Sequence, residues 1–312
     1  MRLVFFGTPE FASISLKAIL DSRHQVVGVV TAPDKPKGRG KKLESSEVKK
    51  LSLKHDLHLF QPADLKDHDF ISSLRKIEAD LFCVVAFRIL PEDVFMIPPK
   101  GCVNLHGSLL PRYRGAAPIN WALINGEAET GLTSFFIRKQ VDTGDMILQE
   151  KITIGSDETF AELHDRMALK GSALLIKTID TIEAGNFEAI KQDKSLATPA
   201  PKLQQGIGLI DWSKTSIEIH NLIRGLSPRP GAYSYYAQKK HLIIRSRISI
   251  ENSSDTKAGK IIEADPRHGI KISCGTGIIE IMEIKPESGK IISGADFVKG
   301  FRPKAGEFFG KE

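Results

Sequence analysis

The chain has 312 residues, of which 41% are hydrophobic and 26% are charged, as in an ordinary globular protein with room for two domains. Its three cysteines (Cys83, Cys102 and Cys274) are widely spaced and include no CxxC pair. This usage argues against a disulfide framework and against a zinc site, so no metal is expected.

The N-terminal run MRLVFFGTPEF contains one positive charge and a short apolar segment, with no small-residue cleavage site after it. That segment is too short for the apolar region of a signal peptide. No apolar stretch approaches the roughly 18 residues that a membrane helix needs. We therefore expect a cytoplasmic protein with no membrane partner.

The net charge of +6 is concentrated in two regions. Residues 207–312 contain 17 basic and 12 acidic residues, whereas residues 1–206 are almost neutral. Residues 33–50 carry seven positive and three negative charges. Two basic regions on a near-neutral body suit a polyanionic partner, although a solvated surface explains the charge alone more simply.

Strand and helix patterns alternate through the first half of the chain. Apolar runs predict strands at Leu3–Phe6, Gln25–Thr31, Leu57–Phe60, Leu81–Phe87, Val103–Leu105, Thr133–Ile137 and Met146–Ile154. A helical pattern follows the GTPEF turn and ends at Leu20. Further helical patterns cover Glu47–His55, Asp69–Glu78, Pro118–Leu123 and Thr159–Glu183. This alternation predicts an α/β fold with a doubly wound, mostly parallel, Rossmann-like sheet.

The second half of the chain has a different pattern. Residues 188–206 are polar and contain proline, which is typical of an interdomain linker. After a short helix at Ser216–Arg224, β-branched strands alternate with turn residues and predict a small β-barrel or sandwich. The predicted organisation is a domain at 1–187, a linker at 188–206 and a second domain at 207–312.

Polar side chains occur at the end of the strand that precedes residue 107. Asn104 and His106 share one face of this strand, at the end where open α/β sheets bind ligands. An amide and an imidazole two residues apart form a pair of hydrogen-bond donors. Taken alone, a structural histidine is the more common explanation.

Two further segments, residues 108–115 and 141–145, also contain candidate functional residues. Residues 108–115 (SLLPRYRG) are irregular, apolar and rich in arginine, so they suit a groove for a flat aromatic ligand, with Arg112 or Arg114 facing an anion. The alternative is a tight turn with solvated arginines. VDTGD at 141–145 offers Asp142 and Asp145, and aspartate in such a turn commonly caps its own backbone.

Together these segments form the pattern NxHxSLLPxYRGxxPxxW, from Asn104 to Trp121, followed by DTGD at 142–145. This pattern resembles the folate-dependent formyltransferase family. The resemblance implies a formyltransferase-type Rossmann-like domain, the cosubstrate 10-formyltetrahydrofolate and three catalytic residues, Asn104, His106 and Asp142. The folate-binding residues that it implies are Ser108, Leu109, Leu110, Pro111, Phe87 and Arg88.

Within that family, FFGTPEFA (5–12), TAPDKPKGRGKKL (31–43) and IDWSKT (210–215) before a basic β-domain are similar to members whose acceptor is methionyl initiator tRNA. The resemblance implies tRNA contacts by Arg39, Lys41 and Lys42, an oligonucleotide-binding (OB-like) barrel along the phosphate backbone, and a monomer. In one departure from the family pattern, VVAFRILP (84–91) is a residue shorter than usual, beside the folate site.

The chemistry of formyl transfer explains the three catalytic positions. An amine attacks a formamide carbon, and Asn104 would donate to the negative oxygen that develops. His106 would be a second donor or a proton relay, and Asp142 would favour its imidazolium form. Cys102 shares their face but lies deeper in the sheet, where we expect it to pack.

Four alternatives remain open. A relative acting on an amino sugar nucleotide or glycinamide ribonucleotide would have the same catalytic residues but no basic insertion. A hydrolase that releases formate would not need surfaces for a polyanion. A non-catalytic RNA-binding protein would have lost catalytic residues that are present here. A dinucleotide-binding dehydrogenase would have G-x-G-x-x-G after its first strand, where this chain has GTPE.

Overall fold

The computed structural model describes residues 1–37, 42–250 and 257–310. They form two compact units. The N-terminal unit comprises Met1–Ala116, Thr130–Ile152 and His164–Ala200, and the C-terminal unit comprises Ala117–Glu129, Thr153–Leu163 and Pro201–Glu312. Within these described ranges, no helix combines the length and apolar character needed to cross a membrane.

The strands and helices are numbered in chain order. The strands are β1 (Arg2–Gly7), β2 (Gln25–Val30), β3 (Lys35–Lys37), β4 (Lys42–Glu44), β5 (Leu59–Phe60), β6 (Leu81–Val85), β7 (Cys102–His106), β8 (Arg114–Gly115), β9 (Glu129–Phe136), β10 (Met146–Thr153), β11 (Pro199–Ala200), β12 (Ala232–Tyr236), β13 (Lys239–Ile248), β14 (Ile261–Asp265), β15 (Gly269–Ser273), β16 (Ile278–Pro286) and β17 (Ile292–Ser293). The α-helices are α1 (Glu10–Leu20), α2 (Glu47–Lys54), α3 (His68–Lys76), α4 (Glu92–Phe95), α5 (Pro118–Ile124), α6 (Phe160–Ala184), α7 (Ser216–Leu226) and α8 (Gly294–Phe301).

The N-terminal unit contains a seven-stranded sheet in the order β10-β9-β7-β6-β1-β2-β5. The five strands from β7 to β5 pair in parallel, and β9 is antiparallel to β7. Numbered among the parallel strands alone, this is the order 3-2-1-4-5 of dinucleotide-binding folds, which winds outward in both directions from β1. The predicted doubly wound, mostly parallel sheet is confirmed.

Burial explains why β1 and β6, at the centre of this sheet, are uninterrupted apolar runs. All five residues of β6 are buried, as are those of β1 from Leu3 onward. Helices cover the sheet with one apolar stripe each, and α1 buries Phe11, Ala12, Leu16 and Ile19 at helical spacing. Strands that are covered on both faces cannot alternate with polar residues.

The basic stretch after β2 contains a two-stranded ribbon that the sequence did not predict. β3 pairs antiparallel with β4, with Lys35 opposite Glu44 and Pro36 opposite Leu43. Arg39 and Lys41 lie outside the described residues, and Lys42 is described only as part of the β4 backbone. Their predicted roles in tRNA binding therefore remain predictions.

The segment predicted as a linker has structure of its own. It contains a 3₁₀ turn at Lys194–Leu196 and β11, which pairs in parallel with β8. Ile190 also forms an antiparallel bridge with Met146. These contacts tie the segment to the N-terminal unit up to Ala200. The domain boundaries at 187 and 207 stay predictions.

The C-terminal unit contains an antiparallel sheet in the order β12-β13-β16-β15-β14, and β17 pairs with β16. Its core is built mainly from isoleucines of these strands, together with Trp212, Phe297 and Phe309. Helix α7 begins with a capping box in which Thr215 and Glu218 satisfy each other's backbone amides.

The last described residues connect the two edge strands of this sheet, β12 and β14. The amide of Ile261 in β14 donates to the carbonyl oxygen of Glu307 at 2.7 Å, and the amide of Gly310 donates to that of Tyr235 in β12 at 2.9 Å. Residues 307–310 thus contact both edge strands. This arrangement is compatible with the predicted OB-like barrel, whose type stays a prediction.

Candidate active site

Asn104 and His106 lie on β7, at the carboxyl edge of the parallel sheet. The neighbouring β6 ends at Val85, which is opposite Leu105, so the segment after β6 begins beside these side chains. His106 is only 6% exposed, whereas Asn104 is partly exposed. Among the described residues, the Asn104 amide makes no side-chain hydrogen bond and is therefore available to a ligand.

The ring of His106 is held by a backbone carbonyl. Its Nε2 lies 2.9 Å from the carbonyl oxygen of Tyr113, which can only accept a hydrogen bond, so Nε2 carries a proton. In the neutral ring, Nδ1 is then the basic nitrogen. Nδ1 lies 3.8 Å from Oδ2 of Asp142, so protonation at Nδ1 would create an ion pair with that carboxylate.

Asp142 is fixed by the turn that contains it. It adopts a left-handed backbone conformation with φ of 53°. Its Oδ2 accepts a hydrogen bond from the Gly115 amide at 2.8 Å, and the side chain is 11% exposed. At Gly144 an added Cβ would collide with the backbone carbonyl of Phe136, which explains glycine in this turn. Asp145 instead faces the exposed guanidinium of Arg138, at 3.4 Å.

The RYRG segment is anchored by residues from the predicted linker. The Tyr113 amide donates to Oγ1 of Thr198 at 2.9 Å, and the Arg114 amide donates to the Thr198 carbonyl at 2.9 Å. The Arg114 guanidinium donates to Oε1 of Gln192 through two nitrogens, at 2.6 and 3.1 Å. Sequence reasoning missed Gln192 and Thr198, because an isolated polar residue in an aperiodic segment gives no signal.

The four residues of the SLLP segment fall into two groups. Ser108 and Leu110 are buried, and Leu110 packs in a small apolar cluster with Phe135 and Met146. The hydroxyl of Ser108 donates to the carbonyl of Arg112 at 2.6 Å. Leu109 and Pro111 are partly exposed. Of the four predicted folate contacts, these two present apolar surface to a ligand, while Ser108 and Leu110 shape the segment.

Thr133 on β9 holds this segment in place. Its hydroxyl donates to the Ser108 carbonyl at 2.7 Å and accepts from the Leu110 amide at 3.1 Å. The Gln149 side-chain amide donates both to this hydroxyl and to the Leu110 carbonyl, at 2.9 Å each. Since Thr133 pairs with His106 across the two strands, the SLLP segment is held in place by the residue opposite His106.

Phe87 and Arg88 follow β6, and their side chains contact different parts of the N-terminal unit. Phe87 is partly buried, with its ring 5.7 Å from that of Phe6. The Arg88 guanidinium donates to the carbonyl oxygens of Pro62 and Ala63, at 2.8 and 3.0 Å. Arg88 therefore fixes the position of the segment after β5, and its predicted contact with folate stays a prediction.

Cys102, on the same strand, is unsuited to nucleophilic chemistry. Its side chain is buried, and burial together with the neighbouring Cys83 thiol holds its pKa well above the ordinary value. Burial also raises the pKa of Cys83 to about 12. Both thiols are therefore protonated and act as small apolar groups, as the strand pattern indicated for Cys102.

One cluster in the described part of the chain has the composition of a metal site, and it lies away from these residues in the fold. His24, Asp180 and Glu183 bring potential ligand atoms together. The carboxylates already have cationic partners, since Arg23 contacts both and the N-terminal amine lies 3.1 Å from Glu183. The cluster is thus an internally neutralised ion network.

The arrangement combines an uncommitted amide, a histidine with one basic nitrogen, and a carboxylate beside that nitrogen. An amide donor suits an oxygen that gains negative charge without a change of its own protonation state. A histidine beside a carboxylate suits transfer of a proton during the same reaction. This combination fits addition of a nucleophile to a carbonyl carbon, followed by loss of a leaving group.

Comparison with known proteins identifies the family of this chain independently of the geometry of the site. Residues 1–179 match the family described as formyl transferase, and residues 202–302 match the formyl transferase C-terminal domain. A methionyl-tRNA formyltransferase of Acetivibrio thermocellus is 43% identical, with 100% of each chain covered. The methionyl-tRNA formyltransferase of Clostridium novyi is 44% identical over 96% of this chain and 97% of its own.

Solved structures show the same fold. The N-formyltransferase of Helicobacter canadensis, in complex with folinic acid and dTDP-3-aminofucose, superposes with a TM-score of 0.68 and 23% sequence identity. The alignment covers 89% of this chain and 98% of that one. At this identity the likeness concerns the fold alone, so it does not identify the acceptor.

Proposed function

This chain belongs to the formyl transferase family, and from that premise we propose that it transfers the formyl group of 10-formyltetrahydrofolate to the α-amino group of methionine on initiator tRNA. The observation that carries the proposal is the uncommitted amide of Asn104 beside the pair formed by His106 and Asp142. The relatives with methionyl-tRNA as their named acceptor match along the whole chain, which favours this acceptor over smaller ones.

Asn104 would stabilise the oxygen of the formyl group as the nucleophile adds. The amide donates a hydrogen bond without needing protonation, and it makes no competing side-chain bond to the described residues. Removing one such donor typically costs about 10²–10³-fold in kcat. In this role Asn104 is a catalytic residue.

His106 and Asp142 would move the proton that the reaction displaces. An α-amino group titrates near roughly 7.7–8.0, so much of it is neutral at physiological pH and no strong base is needed. Once bonded to the formyl carbon, the nitrogen has a proton to lose, and Nδ1 of His106 is the basic atom available to accept it. Asp142 would stabilise the imidazolium until the proton passes to the leaving nitrogen of the carrier.

The folate carrier fits the surface beside this site. Leu109 and Pro111 offer partly exposed apolar side chains, while the buried Ser108 and Leu110 keep their segment in one conformation. Phe87 lies at the end of the adjacent strand. The carrier supplies the formyl group, and these residues would hold its flat ring system against the catalytic edge.

The tRNA would be bound by basic surface. Arg39, Lys41 and Lys42 belong to the basic stretch of residues 33–50, and residues 207–312 have five more basic than acidic residues. Contacts between lysine or arginine and phosphates release counterions, so affinity should fall steeply with salt. Since the three catalytic residues lie in one compact unit of a single chain, we propose that the protein acts as a monomer. We also propose that it acts in the cytoplasm, where tRNA is used in translation.

A direct test offers the protein labelled 10-formyltetrahydrofolate with methionyl initiator tRNA, and in parallel with free methionine, an amino sugar nucleotide, glycinamide ribonucleotide or no acceptor. We expect label in the aminoacyl-tRNA alone. Label on a small acceptor would show that the acceptor is wrong, and label released as formate without an acceptor would indicate a hydrolase.

A further inference from the structure

The catalytic histidine and aspartate are both positioned by one short segment, residues 113–115. His106 Nε2 donates to the Tyr113 carbonyl at 2.9 Å, and Asp142 Oδ2 accepts from the Gly115 amide at 2.8 Å. A shift of this segment would therefore move both partners of the pair. What holds residues 113–115 decides the distance between His106 and Asp142.

One buried side chain connects this segment to the turn that contains Asp142. Gln192 is 5% exposed, and its Oε1 accepts two hydrogen bonds from the Arg114 guanidinium. Its Nε2 donates to the carbonyl oxygens of Asp142 and Gly144, at 3.0 and 2.7 Å. All hydrogen-bonding capacity of this amide is thus used, with one end on each side of the pair.

A glutamine is the side chain that this bridge requires. The Arg114 guanidinium can only donate, and the two carbonyls can only accept, so the bridging group must accept at one end and donate at the other. Glutamate would have no proton for the carbonyls of Asp142 and Gly144. A buried polar group with all its partners satisfied gives a rigid connection, and loss of one partner leaves the others unsatisfied.

We propose that Gln192 is a positioning residue for the catalytic pair, acting through Asp142 and the segment that holds His106. The inference rests on the proposed formyl transfer and adds a residue from a part of the chain that the sequence presents as a linker. Gln192 contacts no reacting atom. Its effect on the reaction is the geometry that it imposes on His106 and Asp142.

The first experiment compares steady-state kinetics of Gln192→Ala and Gln192→Glu with the wild type, using the acceptor that the wild type accepts. We expect kcat to fall about tenfold to hundredfold, the cost of a misplacement of about 1 Å, with KM for both substrates within about twofold of the wild-type values. Gln192→Glu, which keeps the Arg114 contact, should resemble Gln192→Ala. Gln205→Ala is the matched control, since Gln205 is exposed and lies in the same predicted linker.

The second experiment separates positioning from general stability. In a background that lacks both partners of the pair, His106→Ala with Asp142→Ala, Gln192→Ala should lower the residual kcat by less than about twofold, because a residue that positions the pair then has nothing left to position. A residue needed only for folding would lower activity by the same factor in both backgrounds. Equal factors would overturn the proposal, as would a single Gln192→Ala variant that retains half of the wild-type kcat.

A third measurement does not depend on the identity of the acceptor. Hydrogen exchange of the Gly115 amide reports its bond to Asp142, and Gln192→Ala should accelerate it at least tenfold more than it accelerates the buried amides of β6. Unchanged exchange would refute the positioning role even if no acceptor were found. Absence of transfer to methionyl-tRNA by the wild type, with accelerated exchange in the variant, would refute the proposed acceptor alone.

Discussion

Replacement of Asp142 by asparagine tests the electrostatic part of the mechanism. The change is nearly isosteric, and the remaining side-chain oxygen can still accept the hydrogen bond from the Gly115 amide. What disappears is the negative charge beside Nδ1 of His106. The variant therefore asks whether that charge, and not only the hydrogen bond, is needed when the imidazolium forms.

The expected magnitude follows from the geometry. With 3.8 Å between Nδ1 and Oδ2, the attraction between an imidazolium and a carboxylate is about 4 kcal/mol at an effective dielectric constant of about 20. The side chains are 7% and 11% exposed, so solvent screening is limited. Since each 1.4 kcal/mol corresponds to a factor of ten, loss of the full attraction would cost about 10³-fold in rate.

We expect Asp142→Asn to lower kcat by about 10²–10³-fold, measured as label transferred from 10-formyltetrahydrofolate to methionyl-tRNA at saturating substrates. Asp145→Asn is the matched control, because Asp145 lies in the same turn but faces the exposed Arg138, and it should stay within about twofold of the wild type. A loss of less than fivefold for Asp142→Asn, with intact folding, would refute a role for the charge.

Three further substitutions test other parts of the structure. Gly115→Ala should lower both kcat and the melting temperature, because the φ of Gly115 is +126° and an added Cβ would collide with the Ala200 carbonyl. Arg88→Lys should raise KM for the folate severalfold in steady-state assays, since one ammonium group cannot replace the fork that binds two carbonyls. His241→Phe should raise the free energy of unfolding in urea by about 1 kcal/mol at pH 7, because the ring is buried among aromatic side chains and neither nitrogen makes a hydrogen bond of good geometry to a described residue.

The pH dependence of the last variant has a definite sign. Burial is the main cause that lowers the pKa of His241 in the folded protein. A group with a lowered pKa contributes stability above its ordinary pKa of about 6.5, and this is lost as the pH falls through that value towards the folded pKa. Between pH 7.5 and 5, the wild type should therefore lose more stability than His241→Phe. Parallel curves would contradict this assignment.

The predictions for Gly115→Ala and Arg88→Lys can each be refuted by a specific result. Gly300 in α8 has nothing within 4 Å of an added Cβ and no positive φ, so Gly300→Ala should leave kcat unchanged and should not lower the melting temperature. Equal effects of Gly115→Ala and Gly300→Ala would remove the steric argument. Wild-type KM for folate in Arg88→Lys would show that the two carbonyl contacts do not shape the binding surface.

The sheet of the N-terminal unit could be predicted because its signal is local. Apolar runs such as Leu81–Val85 have no alternative to burial on both faces, and β1, β2, β6 and β7 were all expected. The two-residue strands β8 and β11 have no such pattern. They exist because Arg114 and Gly115 pair with residues some 85 positions away, which no window of sequence can reveal.

The residues of the candidate site divide in the same way. Asn104, His106 and Asp142 are part of a pattern of many fixed positions, and the structure brings His106 and Asp142 together. Gln192 belongs to no pattern, and its environment in sequence predicts a linker. Its position follows from tertiary hydrogen bonds alone, so its role could be inferred only from the structure.

The division of the chain into these compact units could not be predicted from the sequence either. Helix α5 was expected from its local pattern, but its residues cluster with the C-terminal unit. The Asn120 side chain donates to the Gly225 carbonyl in α7 at 2.8 Å, and both groups are buried. A helix pattern predicts that one face is covered, but it does not identify which distant segment covers it.

In the reaction that we propose, the Asn104 amide stabilises the formyl oxygen during transfer to methionyl initiator tRNA. The most direct test is the single-turnover rate of labelled formyl transfer, compared between the wild type and Asn104→Ala at saturating carrier and acceptor. We expect transfer by the wild type and a rate about 10²–10³-fold lower in the variant, with carrier binding unchanged. Transfer at a similar rate in both, or no transfer to the tRNA by the wild type, would contradict this proposal.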